Sequence, residues 1–186
     1  MYREKWFFIA ALITVVLVVS CGSTASSGPI VGAEGVPMPT WVRTPRAPTV
    51  DTIYFIGEGR DGRTATAKRQ NARASGLQAL SEWKDGIVAS TLRDWVNESG
   101  ETGNTQSLES LQNAVVTRAR ANTAGFLEVE TWVNPDGNYI MLFSYPKNDF
   151  RQDFRSATNT FVRNESAAYA EFRADEVFRI LERNLE

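Results

Sequence analysis

Phe126–Val133 and Tyr139–Tyr145 are apolar-rich runs joined by Asn134-Pro135-Asp136-Gly137-Asn138, and no other stretch restricts the fold as strongly. The joining residues are turn formers, so the two runs predict a β-hairpin. Side chains alternate along a strand. Ile140 and Leu142 therefore point to one side of the second strand, and Tyr139, Met141, Phe143 and Tyr145 to the other. Both faces are apolar, and a sheet of that kind needs a cover on each side.

The rest of the chain supplies the candidates. Thr52–Gly57 has the β-branched and aromatic content of a further strand. From about Thr64 to Asn97 the period changes: Leu77, Leu80, Trp83, Ile87, Leu92 and Trp95 approximate one stripe of a helix. Ala65, Ala72, Gly76 and Ala79 make its first half small, which suits close approach to a sheet. Ser99–Ser107 reads as a polar loop and Leu108–Ala121 as a shorter helix. From Asp149 onward there is no Gly or Pro, and Phe150, Phe154, Ala157, Phe161, Ala168 and Phe172 continue a helical stripe.

The expected fold is α+β: a small antiparallel sheet of about three strands packed on one long helix, with an added long C-terminal helix. The first long helix covers one sheet face. The other falls to Phe150, Phe154 and Phe161 of the last helix, to a second copy or to a partner. A continuous helix from Asp149 to Leu185 would be about 55 Å long and would project beyond the sheet. Phe172, Val177, Phe178, Ile180, Leu181 and Leu185 would then form a seam for a partner or a second copy. The alternative is a break near Asn164, with the span folding back as two shorter helices.

The N-terminus speaks to location. Arg3 and Lys5 precede a run from Trp6 to Val19 without a charge, an n-region followed by an h-region. The run is shorter than the roughly 20 residues that cross a bilayer as a helix. It ends in Ser20-Cys21, a small residue before a cysteine, which resembles the site read by lipoprotein signal peptidase. Cleavage between Ser20 and Cys21 and lipidation of Cys21 are the expectation. Cys21 is the single cysteine, so no internal disulfide can form. Several acyl chains, at about 0.8 kcal/mol per buried methylene, make a durable membrane anchor. Residues 22–38, rich in Ser, Gly and Pro, read as a flexible tether.

Taking Arg3 and Lys5 from 20 basic residues and Glu4 from 22 acidic ones leaves 18 and 21 on the mature chain, a net charge of −3. That mild charge, with Arg118-x-Arg120 as the nearest thing to a basic cluster, gives no reason to expect a nucleic-acid partner. Gly57-x-Gly59-x-x-Gly62 after a strand and before a helix, with Glu82 about twenty residues on, matches a dinucleotide fingerprint. A nucleotide domain needs a second parallel strand after the first helix, and here another helix and a hairpin follow. The glycines read as a strand-to-helix turn, and no nucleotide or other cofactor is expected. Without histidine, Ser-His and Cys-His pairs and histidine-ligated zinc are excluded. Glu128 and Glu130 on one strand face, and Glu171, Asp175 and Glu176 on the last helix, are the remaining carboxylate groupings. A solvated face accounts for them better than acid-base chemistry, so no catalytic or metal residues are assigned.

Several of these residues together resemble a known family. Pro39-Thr40-Trp41-Val42, Tyr54-Phe55-Ile56-Gly57-Glu58-Gly59 before an alanine-rich helix, a strand ending at Trp132-Val133, and Gly137-Asn138-Tyr139 leading to Tyr145-Pro146 look like the LPP-twenty lipoprotein family. The resemblance covers roughly residues 39–147. It implies a fold like the N-terminal domain of flagellar assembly protein T and dodecin-like sheets, a bacterial membrane-associated location, and no reaction. The polar loop around Glu101–Asn104 and the C-terminal helix depart from the family pattern. The expected organisation is a signal peptide at 1–20, a tether at 21–38 after lipidated Cys21, an α+β domain at 39–147 and a long helix at 148–186. Because Gly22 replaces the aspartate of the best-known inner-membrane retention rule, the outer membrane is the expected location, facing periplasm or surface. The expected role is a non-enzymatic interaction module in envelope organisation, with an envelope protein or a second copy as partner. The alternative is a surface-displayed binder of a small apolar or host-derived ligand.

Overall fold

Asn134 sets the hairpin turn: its Oδ1 accepts the backbone N–H groups of Asp136 at 3.0 Å and Asn138 at 2.9 Å. Gly137 takes the left-handed conformation there, with φ 73°. The structure is a computed structural model that describes residues 29–99, 105–164 and 174–186. Ser20, Cys21 and the expected signal peptide lie outside the described residues, as do Glu171 and Phe172. The turn joins β2 (Leu127–Val133) to β3 (Tyr139–Pro146), and β1 (Thr52–Gly59) pairs antiparallel with the other edge of β3, giving the order β1-β3-β2. A four-residue α1 (Thr40–Arg43) precedes β1. Between β1 and β2 run α2 (Ala65–Ser99) and α3 (Thr105–Ala121), and α4 (Lys147–Asn164) and α5 (Ala174–Leu185) follow β3. The α+β expectation of three antiparallel strands on one long helix holds.

The long helix α2 lies on the inner sheet face with a buried line of Ala72, Gly76, Leu80, Lys84, Val88, Leu92 and Trp95. Leu77, Trp83 and Ile87 flank that line, half-buried. The contact line is thus turned from the stripe of large residues that the sequence suggested. Its small members let the helix backbone approach β1, and Phe55, Phe126, Phe143 and Tyr145 fill the space to either side.

One expectation is corrected at the C-terminus. The span expected as a single projecting helix contains two helices, the first ending at Asn164 as in the alternative of a break there, and the end of α5 returns to the start of α4. Lys147 Nζ donates to the Leu185 carbonyl at 2.5 Å, and Arg151 Nε donates to Glu182 Oε2 at 2.8 Å. Val177, Ile180, Leu181 and Leu185 are at most 3% exposed and belong to the main core. Glu98, near the end of α2, accepts from Arg179 at 2.9 Å and Arg183 at 2.5 Å, fastening α5 along α2. Those two hydrogen bonds hold its carboxyl below the usual range. Val177, Ile180, Leu181 and Leu185, expected in an exposed seam, are interior and Phe178 is half-buried, because packing against α2 removes that surface from water.

A second correction concerns the outer sheet face. Phe150 and Phe154 do not cover it; they pack on the helical side with Tyr145 and Trp83. Trp41, Met38 and Val42 cover Ile140, Leu142, Ile56, Tyr54 and Trp132 instead. Residues 31–38, assigned to the tether, fold into a turn against β2. Val31 bridges Pro37, the Ala33 N–H donates to the Val133 carbonyl at 3.2 Å, and Trp132 Nε1 donates to the Val36 carbonyl at 3.0 Å. The chain segment before β1 is therefore a strap that closes the second apolar face.

Candidate functional site

The glycine-rich turn is a packing device. A Cβ on Gly57 would fall 2.0 Å from the Ala72 carbonyl oxygen, and one on Gly59 would fall 1.8 Å from that of Lys68. Both neighbours are α2 backbone, so these glycines let β1 and α2 touch. Gly62 sits at φ 135° where the chain enters α2, and Thr64 Oγ1 caps the helix through the Ala67 N–H at 3.2 Å. Gly57→Ala and Gly59→Ala should each destabilise by about 1–3 kcal/mol through forced separation of the layers. Gly62→Ala should cost on the order of 1 kcal/mol through backbone strain. Urea midpoints measure all three. Glycine-dependent binding of a dinucleotide would overturn the packing account.

Glu128 and Glu130 do not share a face. A β-bulge at Val129 sets Glu128 opposite Phe143 and Glu130 opposite Leu142, neighbours whose side chains point to opposite sides of the sheet. Glu128 accepts from Arg69 at 3.1 Å and from Thr131 at 2.7 Å. Glu130 accepts from Trp41 Nε1 at 2.5 Å and pairs with Arg46, whose guanidinium lies 5.7 Å from the Tyr54 ring centre. One carboxylate thus ties the sheet to α2 and the other ties it to the strap. Arg120 pairs with Asp85, which explains half of the Arg118-x-Arg120 cluster. Arg118 lines an open groove of about 630 Å³ between α3 and α4 with Ala114, Thr117, Ala121 and Phe161. Asp175 and Glu176 stand in the first turn of α5, where carboxylates favour the helix dipole.

The most concentrated polar chemistry lies at a position the sequence reading missed. Lys84 is 1% exposed, inside the core beneath the C-terminal end of α3. Its Nζ donates to the carbonyls of Ala119 at 2.8 Å and Asn122 at 2.7 Å, and stands 4.4 Å from the centre of the Tyr145 ring. Helix C-termini leave carbonyls without intrahelical donors, and the ammonium serves two of them at the negative end of the dipole. The aromatic face adds a third attraction.

The surroundings complete a small network. Asn122 Nδ2 donates to Asp153 Oδ2 at 2.8 Å, and Asn122 Oδ1 accepts the Ala124 N–H at 3.2 Å. Burial pulls the Lys84 amine down from 10.5 to about 8, against the opposing charges of Asp153 and Asp149. Burial also pushes the Tyr145 hydroxyl above its ordinary value, reinforced by Asp153 and Asp149. That hydroxyl is fully buried and has no protein hydrogen-bond partner among the described residues. The sequence did hold one sign of this site: Lys84 lies four residues from both Leu80 and Val88, on the buried line itself.

Among the described residues no group of three or more Cys, Asp or Glu side chains is placed to hold a metal ion. No protein-family model, curated protein or solved structure matches this chain.

Proposed function

We propose that this chain is a lipid-anchored bacterial envelope protein whose domain acts as a non-enzymatic interaction module in envelope organisation. The observation that carries the reading is the ordered signature of Arg3 and Lys5, the uncharged run Trp6–Val19, and Ser20-Cys21. The resemblance to LPP-twenty lipoproteins over residues 39–147 supports it. So does the arrangement of strand, helices and hairpin with sheet order β1-β3-β2, which suits the finer likeness to dodecin-like sheets and the N-terminal domain of flagellar assembly protein T. Gly22, in the place of an inner-membrane retention aspartate, favours the outer membrane. Its partners are then the bilayer, through the acyl chains, and an envelope protein or a second copy. The groove between α3 and α4, with Ala114, Ala121, Ala157 and Phe161 in its wall, favours a second reading, binding of a small apolar ligand.

Cys21→Ser tests the anchor. Without the thiol there is no acceptor for the diacylglyceryl group, so the variant should accumulate as unlipidated precursor, unprocessed between Ser20 and Cys21. Labelling with a radioactive or clickable fatty acid and intact mass both read this. A Cys21→Ser protein with the wild-type mature mass and unchanged detergent partitioning would overturn the lipoprotein reading.

A further inference from the structure

Large apolar side chains that stay exposed gather at one edge of the sheet. Leu127 and Val129 of the edge strand β2 are 60% and 40% exposed, and Val31 and Val36, in the strap turn bonded to Val133 of the same strand, are 46% and 48% exposed. None of the large apolar side chains described in α2, α3, α4 and α5 is exposed to this degree. The glutamates of the edge are neutralised, Glu128 by Arg69 at 3.1 Å and Glu130 by Arg46. An apolar edge strand left in water invites association. The bulge at Val129 interrupts the ladder, so a further strand from a second copy or a partner cannot pair along the whole edge. A lipid surface needs no ladder.

Chain length selects the occupant. Nine residues, 22–30, lie between Cys21 and Val31, and whatever their conformation they span at most about 36 Å. Residues 31–186 form one compact unit, and a body of that many residues has a radius of gyration of about 15 Å and is about 40 Å across. With Cys21 lipidated, the strap turn cannot be carried to the side of the domain away from the bilayer. We propose that the β2 edge and the strap turn form a bilayer-contacting surface, with Val31, Val36, Leu127 and Val129 seated at the boundary between lipid headgroups and acyl chains. This surface depends on the lipid anchor proposed above and gives the anchored domain a fixed orientation. The turn is held by the bridge of Val31 to Pro37 and by Trp132 Nε1 on the Val36 carbonyl, so little freedom is lost on docking. Apolar side chains at this depth bind in proportion to the area they bury, and a short tether raises their effective concentration at the surface. Glu34, exposed in the turn, is repelled by anionic headgroups, so the contact favours zwitterionic lipid. The opposite edge, β1, then points away from the bilayer.

Fluorescence from the full-length lipidated protein in vesicles decides the matter. Lipidation consumes the thiol of Cys21, the single cysteine, so Val36→Cys, Val129→Cys and Gln78→Cys each offer one site for an environment-sensitive dye. Gln78 is exposed on α2, in the wall of a groove shared with Glu58 and Arg60 at the end of β1. In vesicles of phosphatidylcholine and phosphatidylethanolamine carrying nitroxide-labelled acyl chains, the dye at positions 36 and 129 should be blue-shifted and quenched several-fold more than at position 78. Intact mass and flotation with the vesicles report the anchor in the same samples. A lipidated, floating protein with equal quenching at all three positions would overturn the surface and leave the anchor standing, whereas a protein without acyl mass would overturn both. A blue shift at position 129 without quenching would mean that a second copy covers the edge, and would overturn the lipid contact. Val31→Asp, with the dye at position 36, separates docking from nearness. It should lower quenching to the level at position 78, with flotation and near-ultraviolet circular dichroism unchanged. Quenching that stayed at the wild-type level would mean that the short tether alone brings the turn close, and would overturn the apolar contact.

Discussion

Deleting Ala174–Glu186 should leave a chain that no longer folds cooperatively. Val177, Ile180, Leu181 and Leu185 are 0–3% exposed, and each buried aliphatic side chain of this size contributes about 1.5–3 kcal/mol. Four of them together amount to roughly 6–12 kcal/mol, against a total stability for ordinary domains of about 5–15 kcal/mol. The deletion also strips the Leu185 carbonyl from buried Lys147 and Glu182 from half-buried Arg151. An unpaired buried charge adds several kcal/mol to the loss. Leu181→Ala alone should cost about 2–5 kcal/mol. Loss of near-ultraviolet circular dichroism and of a sigmoidal urea transition in the truncated chain is the expected result. If the truncated chain kept its urea midpoint, α5 would be an appendage and the account of the core would fail.

That outcome bears on why periodicity favoured a continuous C-terminal helix over a break near Asn164. Phe150, Phe154, Ala157 and Phe161 line one side of a helix, and at about 100° per residue the positions of Ala168 and Phe172 stay on that line. Val177, Ile180, Leu181 and Leu185 fall on roughly the opposite side. A continuous helix would have to bury opposite faces at its two ends; two helices that fold back bury both against one core. The phase change was present in the sequence, but without a Gly or Pro to mark a break it read as a broad apolar side.

Other features were legible because their causes are local. The hairpin turn depends on Asn134 and Gly137, and the match of turn residues to strand ends is complete within a dozen positions. The bulge at Val129 had no such mark, since Leu127–Val133 alternates like any strand, and the grouping of Glu128 with Glu130 failed for that reason. Strap docking through Trp41 and Glu130 depends on partners 89 residues apart. Lys84 was hidden by its chemistry: a charged residue on a helix is ordinarily solvated, and only the carbonyls of α3, brought over by the tertiary fold, make its burial tolerable.

Burial of Lys84 should give the stability of the wild-type chain a pH dependence that Lys84→Met lacks. The Lys84 amine faces the Tyr145 ring of β3 and the charges of Asp149 and Asp153 on α4. Its folded value of about 8 lies below the 10.5 of the unfolded chain, so between those limits the unfolded state binds more protons and stability rises with pH. The rise should approach about 3 kcal/mol, the free energy of a shift of that size. Tyr145 acts in the other direction. Its hydroxyl is held above the ordinary value of 10, so its contribution is intact below that pH and is lost above it, as the unfolded chain deprotonates first. Urea midpoints of the wild-type protein should therefore climb from pH 8 and turn over near pH 10. Lys84→Met, which has no amine to titrate, should show no climb. A climb of equal size in both proteins would mean that another group is responsible. A flat curve in the wild-type protein would mean that the lysine is not buried against α3 as the structure has it.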